Sequence, residues 1–313
     1  MRSHRKFIGG LVAIAALALG LAACGGDAEP LGGAAAGGAD ATFPVTVTGG
    51  NGPVTITDRP ERVVSLSPTA TEMLFAIGAG EQVLAVDDQS NHPSEAPRTA
   101  LSGFQPNIEA IANYRPDLVV ASDDINGLVD GLGRLGVAVL LLPAAADLDD
   151  VYDQIDALGK ATGRTAGAAE VVGGMRTRID AAVAGLPKRS GTLSYYHELD
   201  DTLYTVTSKT FVGAVYGLVG LTNIADAADR DGSGYPQLSA EYLLKADPDL
   251  IFLADTKCCG QTAQTVGARA GWSGLAAVRN GNVVPLDDDI ASRWGPRVAD
   301  LVEAVVAAVA KVR

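Results

Sequence analysis

Two stretches of the chain repeat one pattern about 130 residues apart, and that repeat limits the possible folds more than any other feature. Pro106-Asn107-Ile108-Glu109-Ala110-Ile111 leads into Arg115-Pro116-Asp117-Leu118-Val119-Val120-Ala121. Pro236-Gln237-Leu238-Ser239-Ala240-Glu241-Tyr242-Leu243 leads into Asp247-Pro248-Asp249-Leu250-Ile251-Phe252-Leu253-Ala254. Each reads as a short helix, a Pro-Asp turn and a buried strand. A unit of this kind cannot bury its strand alone, so two copies at domain-sized separation imply two similar lobes.

Strand and helix patterns alternate around both copies. In the first half, strands are expected over 62–66, 83–86, 117–121 and 137–142. Helices are expected over 67–77, opened by Ser67-Pro68-Thr69, and over 107–113 and 125–135. Before them, Val45-Thr46-Val47-Thr48 and Val54-Thr55-Ile56-Thr57 flank Gly49-Gly50-Asn51-Gly52 and read as a hairpin. The longest helical stretch follows, from about Leu148 to Leu186, with a break expected between Gly159 and Arg164. The alternation then resumes, with strands over 192–196, 249–253 and 282–286 and helices over 210–218, 240–245 and 296–312. Strands alternating with helices predict mostly parallel sheets covered on both faces. The fold class is therefore α/β, as two Rossmann-like lobes bridged by a single long α-helix, with a ligand cleft between the lobes.

The amino terminus is an address. Arg2, Arg5 and Lys6 precede an apolar run from Phe7 to about Leu19, too short to span a bilayer, which ends in Leu21-Ala22-Ala23-Cys24-Gly25-Gly26. That ending resembles a lipobox, which implies removal of residues 1–23 and lipidation of Cys24, placing the protein on the extracytoplasmic face of the cell membrane. A Gly- and Ala-rich tether over 24–43 follows, then a first lobe over 44–146, a linking helical segment over 147–189 and a second lobe over 190–313. The formal charge of -13 becomes -16 without the leader, which carries three basic residues and no acid. So acidic a chain is a poor partner for nucleic acid.

Several enzyme signals fail on context. Gly131-Leu132-Gly133-Arg134-Leu135-Gly136 fits G-x-G-x-x-G but closes a helix where a dinucleotide fingerprint would open one. No phosphate-binding loop or G-x-S-x-G elbow occurs, and His92 and His197 are too few for a bare transition-metal receptor, so no metal site and no resident cofactor are assigned. Cys258-Cys259 leaves three readings: a vicinal disulfide forming a rigid turn and pocket wall, two buried free thiols, or direct contact with a metal or corrinoid centre. An exported thiol redox enzyme using the pair is the remote alternative to a binding protein, without the two-residue spacing of thioredoxin-like motifs.

With Arg62-Val63-Val64-Ser65-Leu66-Ser67-Pro68-Thr69-Ala70-Thr71-Glu72, the two echoes, and Trp272-Ser273-Gly274-Leu275-Ala276-Ala277-Val278-Arg279-Asn280-Gly281-Asn282-Val283, the chain resembles a known family over roughly residues 53–312. These are the solute-binding proteins of ABC importers for cobalamin, ferric siderophores and haem. The resemblance implies a monomeric receptor, not an enzyme, that delivers a metal chelate to a permease dimer with its ATPase subunits. It implies docking through one acid per lobe, Glu72 and Glu241. Ligand contacts are expected from loops at the carboxyl ends of the strands: Ser67, Pro68, Asp87, Asp88, Phe104 and Asp123 in the first lobe. In the second they are Tyr196, Lys209, Phe211, Lys257, Asp289, Arg293 and Trp294, with Arg293-Trp294 favoured as a cation beside an aromatic. Few basic residues stand near this cleft, which favours a near-neutral corrinoid or a hydroxamate chelate over an anionic catecholate.

Overall fold

The computed structural model describes residues 42–312; the leader, Cys24 and all of the expected tether up to residue 41 lie outside the described residues. The chain enters through the hairpin, β1 (Val45–Gly49) and β2 (Gly52–Ile56), paired antiparallel from Val45 with Ile56 to Gly49 with Gly52. Its turn also closes the edge of the first sheet. Gly50 N donates to Leu141 O at 2.8 Å, and the Asn51 amide bonds Val139 O at 2.9 Å and Leu141 N at 3.1 Å.

The first lobe runs β3 (Val63–Ser65), α1 (Pro68–Ala76), β4 (Val83–Asp87), β5 (Arg98–Leu101), α2 (Ile108–Ala112), β6 (Leu118–Ala121), α3 (Leu128–Gly133) and β7 (Ala138–Leu141). Its five strands are parallel in the order β5-β4-β3-β6-β7. Both faces are covered, with Val63, Leu118, Val120 and Leu140 in one apolar cluster and Val64, Val119, Ala121 and Val139 in the other. Helix α1 starts where its sequence says it should: Ser67 is the N-cap, its hydroxyl accepting from Ala70 N, with Pro68 at the first helical position. It is not a surface helix, however, because every residue from Thr69 to Leu74 is buried.

Two helices connect the lobes, α4 (Leu148–Thr162) and α5 (Thr165–Ala184). Asp147 caps α4 by accepting from Asp149 N and Asp150 N. The break falls at Gly163, within the expected window, in a left-handed conformation (φ 71°) that only glycine adopts without strain.

The second lobe continues with β8 (Ser194–Glu198), α6 (Phe211–Leu218), β9 (Thr222–Asn223), α7 (Ala240–Ala246), β10 (Leu250–Leu253) and α8 (Thr256–Cys259). It closes with α9 (Ala263–Gly267), α10 (Ala276–Arg279), β11 (Val283–Pro285), α11 (Asp288–Ser292) and α12 (Val298–Lys311). Its sheet is parallel in the order β11-β10-β8-β9. Strand β8 begins two residues later than expected and runs through Glu198.

The sequence echo is an echo of geometry. In both lobes the residue before the proline, Arg115 or Asp247, takes a left-handed backbone (φ 49° and 43°). The aspartate after it then fastens the neighbouring strand. Asp117 accepts from Glu61 N and Arg62 N at 2.9 and 3.1 Å, and Asp249 accepts from Ser194 N at 2.8 Å. The Asp117 and Asp249 amides return bonds to Arg62 O and Ser194 O, both at 3.1 Å. The Pro-Asp signature thus sets strand register, which is why it recurs in each lobe.

Candidate functional site

In parallel sheets every strand points its carboxyl end the same way, and the loops leaving those ends are free to carry binding groups. Two such loops meet across the lobes: Gln89 and Asn91, after β4, contact Asp289 and Arg293, which follow β11. The carboxyl edges of the two sheets therefore share one junction.

Of the expected first-lobe ligand residues, Asp88, Phe104 and Asp123 are exposed at this edge, and Phe104 is 75% exposed. Gly103 lets the Phe104 loop press against the β3–α1 turn, since a Cβ at residue 103 would stand 2.3 Å from Leu66 O. Ser67, Pro68 and Asp87 do structural work instead. Ser67 is buried, caps α1 and accepts from the Ser122 hydroxyl at 3.0 Å, and Pro68 forms the first helical turn. The Asp87 carboxylate, 1% exposed, accepts from Ser90 N, and burial raises its pKa.

In the second lobe Lys209 and Lys257 are exposed at the edge, but neither is free. Lys209 pairs with Asp229 at 3.5 Å, and the Lys257 ammonium bridges Asp287 and Asp289, both at 2.8 Å. Partial burial would raise the pKa of both aspartates, but the ammonium holds them below the usual carboxylate range. Phe211 is 7% exposed and lines a depression between α6 and the linking helices α4 and α5, and Tyr196 is fully buried edge-on to Trp272. Neither reaches the cleft. Cys258 and Cys259 form a vicinal disulfide on an exposed turn, so the buried-thiol reading does not hold.

Arg293 and Trp294 also have other duties. Arg293 donates to Glu72 at 2.9 Å, Asn91 at 2.8 Å, Gln89 O at 3.2 Å and Asp289 at 2.9 Å, while Trp294 Nε1 donates to Gln154 at 3.0 Å. Both belong to the lobe junction. The same contacts overturn the surface role expected of Glu72. Its side chain is 2% exposed and accepts from Arg293 and from two nitrogens of Arg297, at 2.8 and 2.5 Å. A carboxylate so enclosed and paired presents nothing to a partner.

The echo supplies the exposed counterpart. Glu241 is exposed at the second helical position of α7, after the N-cap Ser239; Glu109 is exposed at the second position of α2, after the N-cap Asn107. The repeat itself was the signal that could have selected Glu109. A second residue was also missed. Tyr235, 52% exposed, sits ahead of α7 much as Phe104 sits ahead of α2. Its segment zips onto the chain leaving β8, with Thr207 N donating to Gly234 O at 2.9 Å and Thr205 N to Pro236 O at 3.1 Å.

Behind the second edge lies a buried charge cluster. Arg269 binds Glu198 through two bonds of 2.6 and 2.7 Å, donates to Gln261 at 2.9 Å and lies 4.7 Å over the Trp272 ring. The Asp255 carboxylate is also buried, and neither of its oxygens takes a hydrogen bond from a donor among the described residues, although the Asp255 carbonyl accepts from Cys259 N at 3.2 Å and Gln261 N at 3.3 Å. Burial, and secondarily the adjacent Glu198 carboxylate, push its pKa up to about 7. His197 bonds the Tyr216 hydroxyl at 2.7 Å, and burial pushes its pKa down to about 4, so it is a neutral core residue. Among the described residues no cluster of three or more His, Cys, Asp or Glu is placed to hold a metal ion, and no helix is long and apolar enough to cross a membrane.

Residues 63–290 match the model of the periplasmic binding protein family. The chain is 34% identical over 277 residues to a cobalamin-binding protein of Halobacterium salinarum, covering 83% of this chain and 72% of that protein. It is 30% identical over 275 residues to an uncharacterised ABC transporter substrate-binding lipoprotein, YvrC, of Bacillus subtilis, covering 83% of this chain and 84% of that protein. Among solved structures it resembles the periplasmic vitamin B12 binding protein BtuF of Vibrio cholerae, with a TM-score of 0.66, 27% identity, and coverage of 80% of this chain and 98% of that one.

Proposed function

The chain belongs to the periplasmic binding protein family, a family of extracytoplasmic transport components and not of enzymes, and we propose that this member captures a corrinoid. The observation that carries the reading is a matched pair among the solvent-facing aromatics, Phe104 and Tyr235, each just ahead of the echoed helix of its lobe and more exposed than Tyr204, the third among the described residues. An aromatic ring left in water by an otherwise well-packed lobe is a ready stacking surface for a large flat ligand. The basic side chains near the edges, Lys209, Lys257, Arg293 and Arg297, are all ion-paired, which disfavours a strongly anionic chelate. Two of the relatives above are named for cobalamin or vitamin B12. Titration with cyanocobalamin, a ferric hydroxamate, a ferric catecholate and haemin is expected to give the tightest binding with the corrinoid. Tighter binding of the catecholate would overturn the assignment.

Delivery to an ABC permease dimer with its ATPase subunits follows from the same reading. Glu109 and Glu241, exposed at matching places in the two lobes, are the docking acids; two separated charges fix orientation and speed encounter more than they add affinity. An apolar depression of about 350 Å3 lined by Leu101, Ala110 and Tyr114 lies beside Glu109 and suits an apolar side chain of the partner. Glu109→Lys or Glu241→Lys should leave ligand affinity unchanged and reduce uptake about tenfold each. Unchanged uptake in both variants would remove the docking role. Cys24 is the lipid anchor in this reading, and a Cys24→Ala form should still bind ligand but be released from the membrane.

A further inference from the structure

We propose that Cys258–Cys259 is a thiol–disulfide exchange site whose redox state sets how firmly the two lobes are joined. The disulfide is on an exposed turn, α8, so a small dithiol reductant can reach it. This turn is also the start of a continuous chain of charged contacts that ends in the other lobe. The Asp288 carboxylate accepts from Thr256 N at 2.8 Å, the Thr256 hydroxyl at 2.7 Å, Lys257 N at 2.8 Å and Cys258 N at 3.0 Å. Backbone amides can point at one carboxylate together only while the turn keeps its shape, and the covalent ring between adjacent cysteines fixes that shape. The same turn aims Lys257 at Asp287 and Asp289. Asp289 holds Arg293 at 2.9 Å and Asn91 at 3.2 Å, and Arg293 holds Glu72, Asn91 and Gln89 of the first lobe.

The chemistry balances with a dithiol as the only co-reactant. A thiolate of the reductant attacks one cysteine sulfur, forming a mixed disulfide and expelling the other cysteine as a thiolate. The reductant's second thiol then displaces the first cysteine. One S–S bond breaks in the protein and one forms in the reductant; two electrons pass to Cys258 and Cys259, and the two protons of the reductant's thiols end on them. Opening the ring frees the backbone and side-chain torsions on either side of the planar Cys258–Cys259 peptide. The Asp288 clasp and the Lys257 bridge then compete with a mobile turn, and Asp289 loses part of its hold on Arg293 and Asn91.

The test uses the full chain without ligand, so it does not depend on which chelate the cleft takes. Amide exchange is measured with the pair oxidised and after dithiothreitol treatment, with thiol titration showing a rise of two. Reduction is expected to speed exchange over 88–92 and 287–294 by at least about threefold, with β3 and β6 unchanged. The double variant Cys258→Ser/Cys259→Ser should show the reduced pattern and no response to reductant. Unchanged exchange over 88–92 after verified reduction would sink the coupling, and a pair that dithiothreitol fails to reduce would sink the exchange site itself.

Discussion

The two lobes share a plan, yet they treat buried polar groups in opposite ways. In the first lobe, buried hydroxyls satisfy one another: Thr71 donates to Ser65 at 2.9 Å and pairs with Ser90 at 2.9 Å, and Ser122 donates to Ser67 at 3.0 Å. In the second, Tyr196, His197, Thr207 and Asp255 each carry a buried side-chain atom without a partner, and among the described residues no other lobe or linker residue does. A low-dielectric interior makes such groups costly and makes any nearby charge count for more. The first lobe is a settled scaffold; the second holds ionisable chemistry just behind the carboxyl edge of its sheet.

The largest test of that contrast removes the group the lobes share. Glu72→Ala leaves Arg293 and Arg297 partly enclosed without their carboxylate and should cost about 3–5 kcal/mol in denaturant unfolding. A surface glutamate would cost almost nothing, so a loss within error would mean that the junction is not as closed as described. Next, Arg269→Ala strands Glu198, which has no exposure, and should cost about 3 kcal/mol, more than any hydroxyl removal in the first lobe.

Asp255 gives a pH test with a definite sign. Its pKa rises on folding from 3.8 to about 7, so the folded state keeps a proton that the unfolded chain gives up. That contribution is fully present below the ordinary value, is lost as pH climbs toward 7, and then levels off. Asp255→Asn should therefore match the parent near pH 4 and exceed its thermal midpoint by about 4 °C above pH 7. A gap that shrinks with rising pH would reverse the assignment. The smallest effects belong to the paired aromatics: Phe104→Ala and Tyr235→Ala should each weaken cyanocobalamin binding by about 1–2 kcal/mol, read calorimetrically, with stability unchanged. If only one does so, the ligand leans on a single lobe.

Much of the architecture was legible because strand and helix alternation and the Pro-Asp turns are local signals. Strand β5 was not, since Arg98-Thr99-Ala100-Leu101 is short, at a sheet edge and only weakly apolar. The helices between Thr256 and Arg279 were missed because each spans four or five residues in Gly- and Thr-rich sequence. The site was less legible than the fold. Glu72 resembles any polar residue in an amphipathic helix, and its partners lie more than 200 positions away, where no periodicity can reveal them. Arg293 and Trp294 misled for the same reason: a cation beside an aromatic looks alike at a ligand and at an interface.

The hairpin turn that grips Val139 and Leu141 has a consequence beyond the fold. A parallel sheet with a bare outer strand offers its backbone to any extended peptide, including the same strand of a neighbouring copy. With Gly50 and Asn51 seated on β7, that rim is already taken. Copies crowded together on one surface could collide along this side without zipping into a ribbon, and each would keep its cleft to itself.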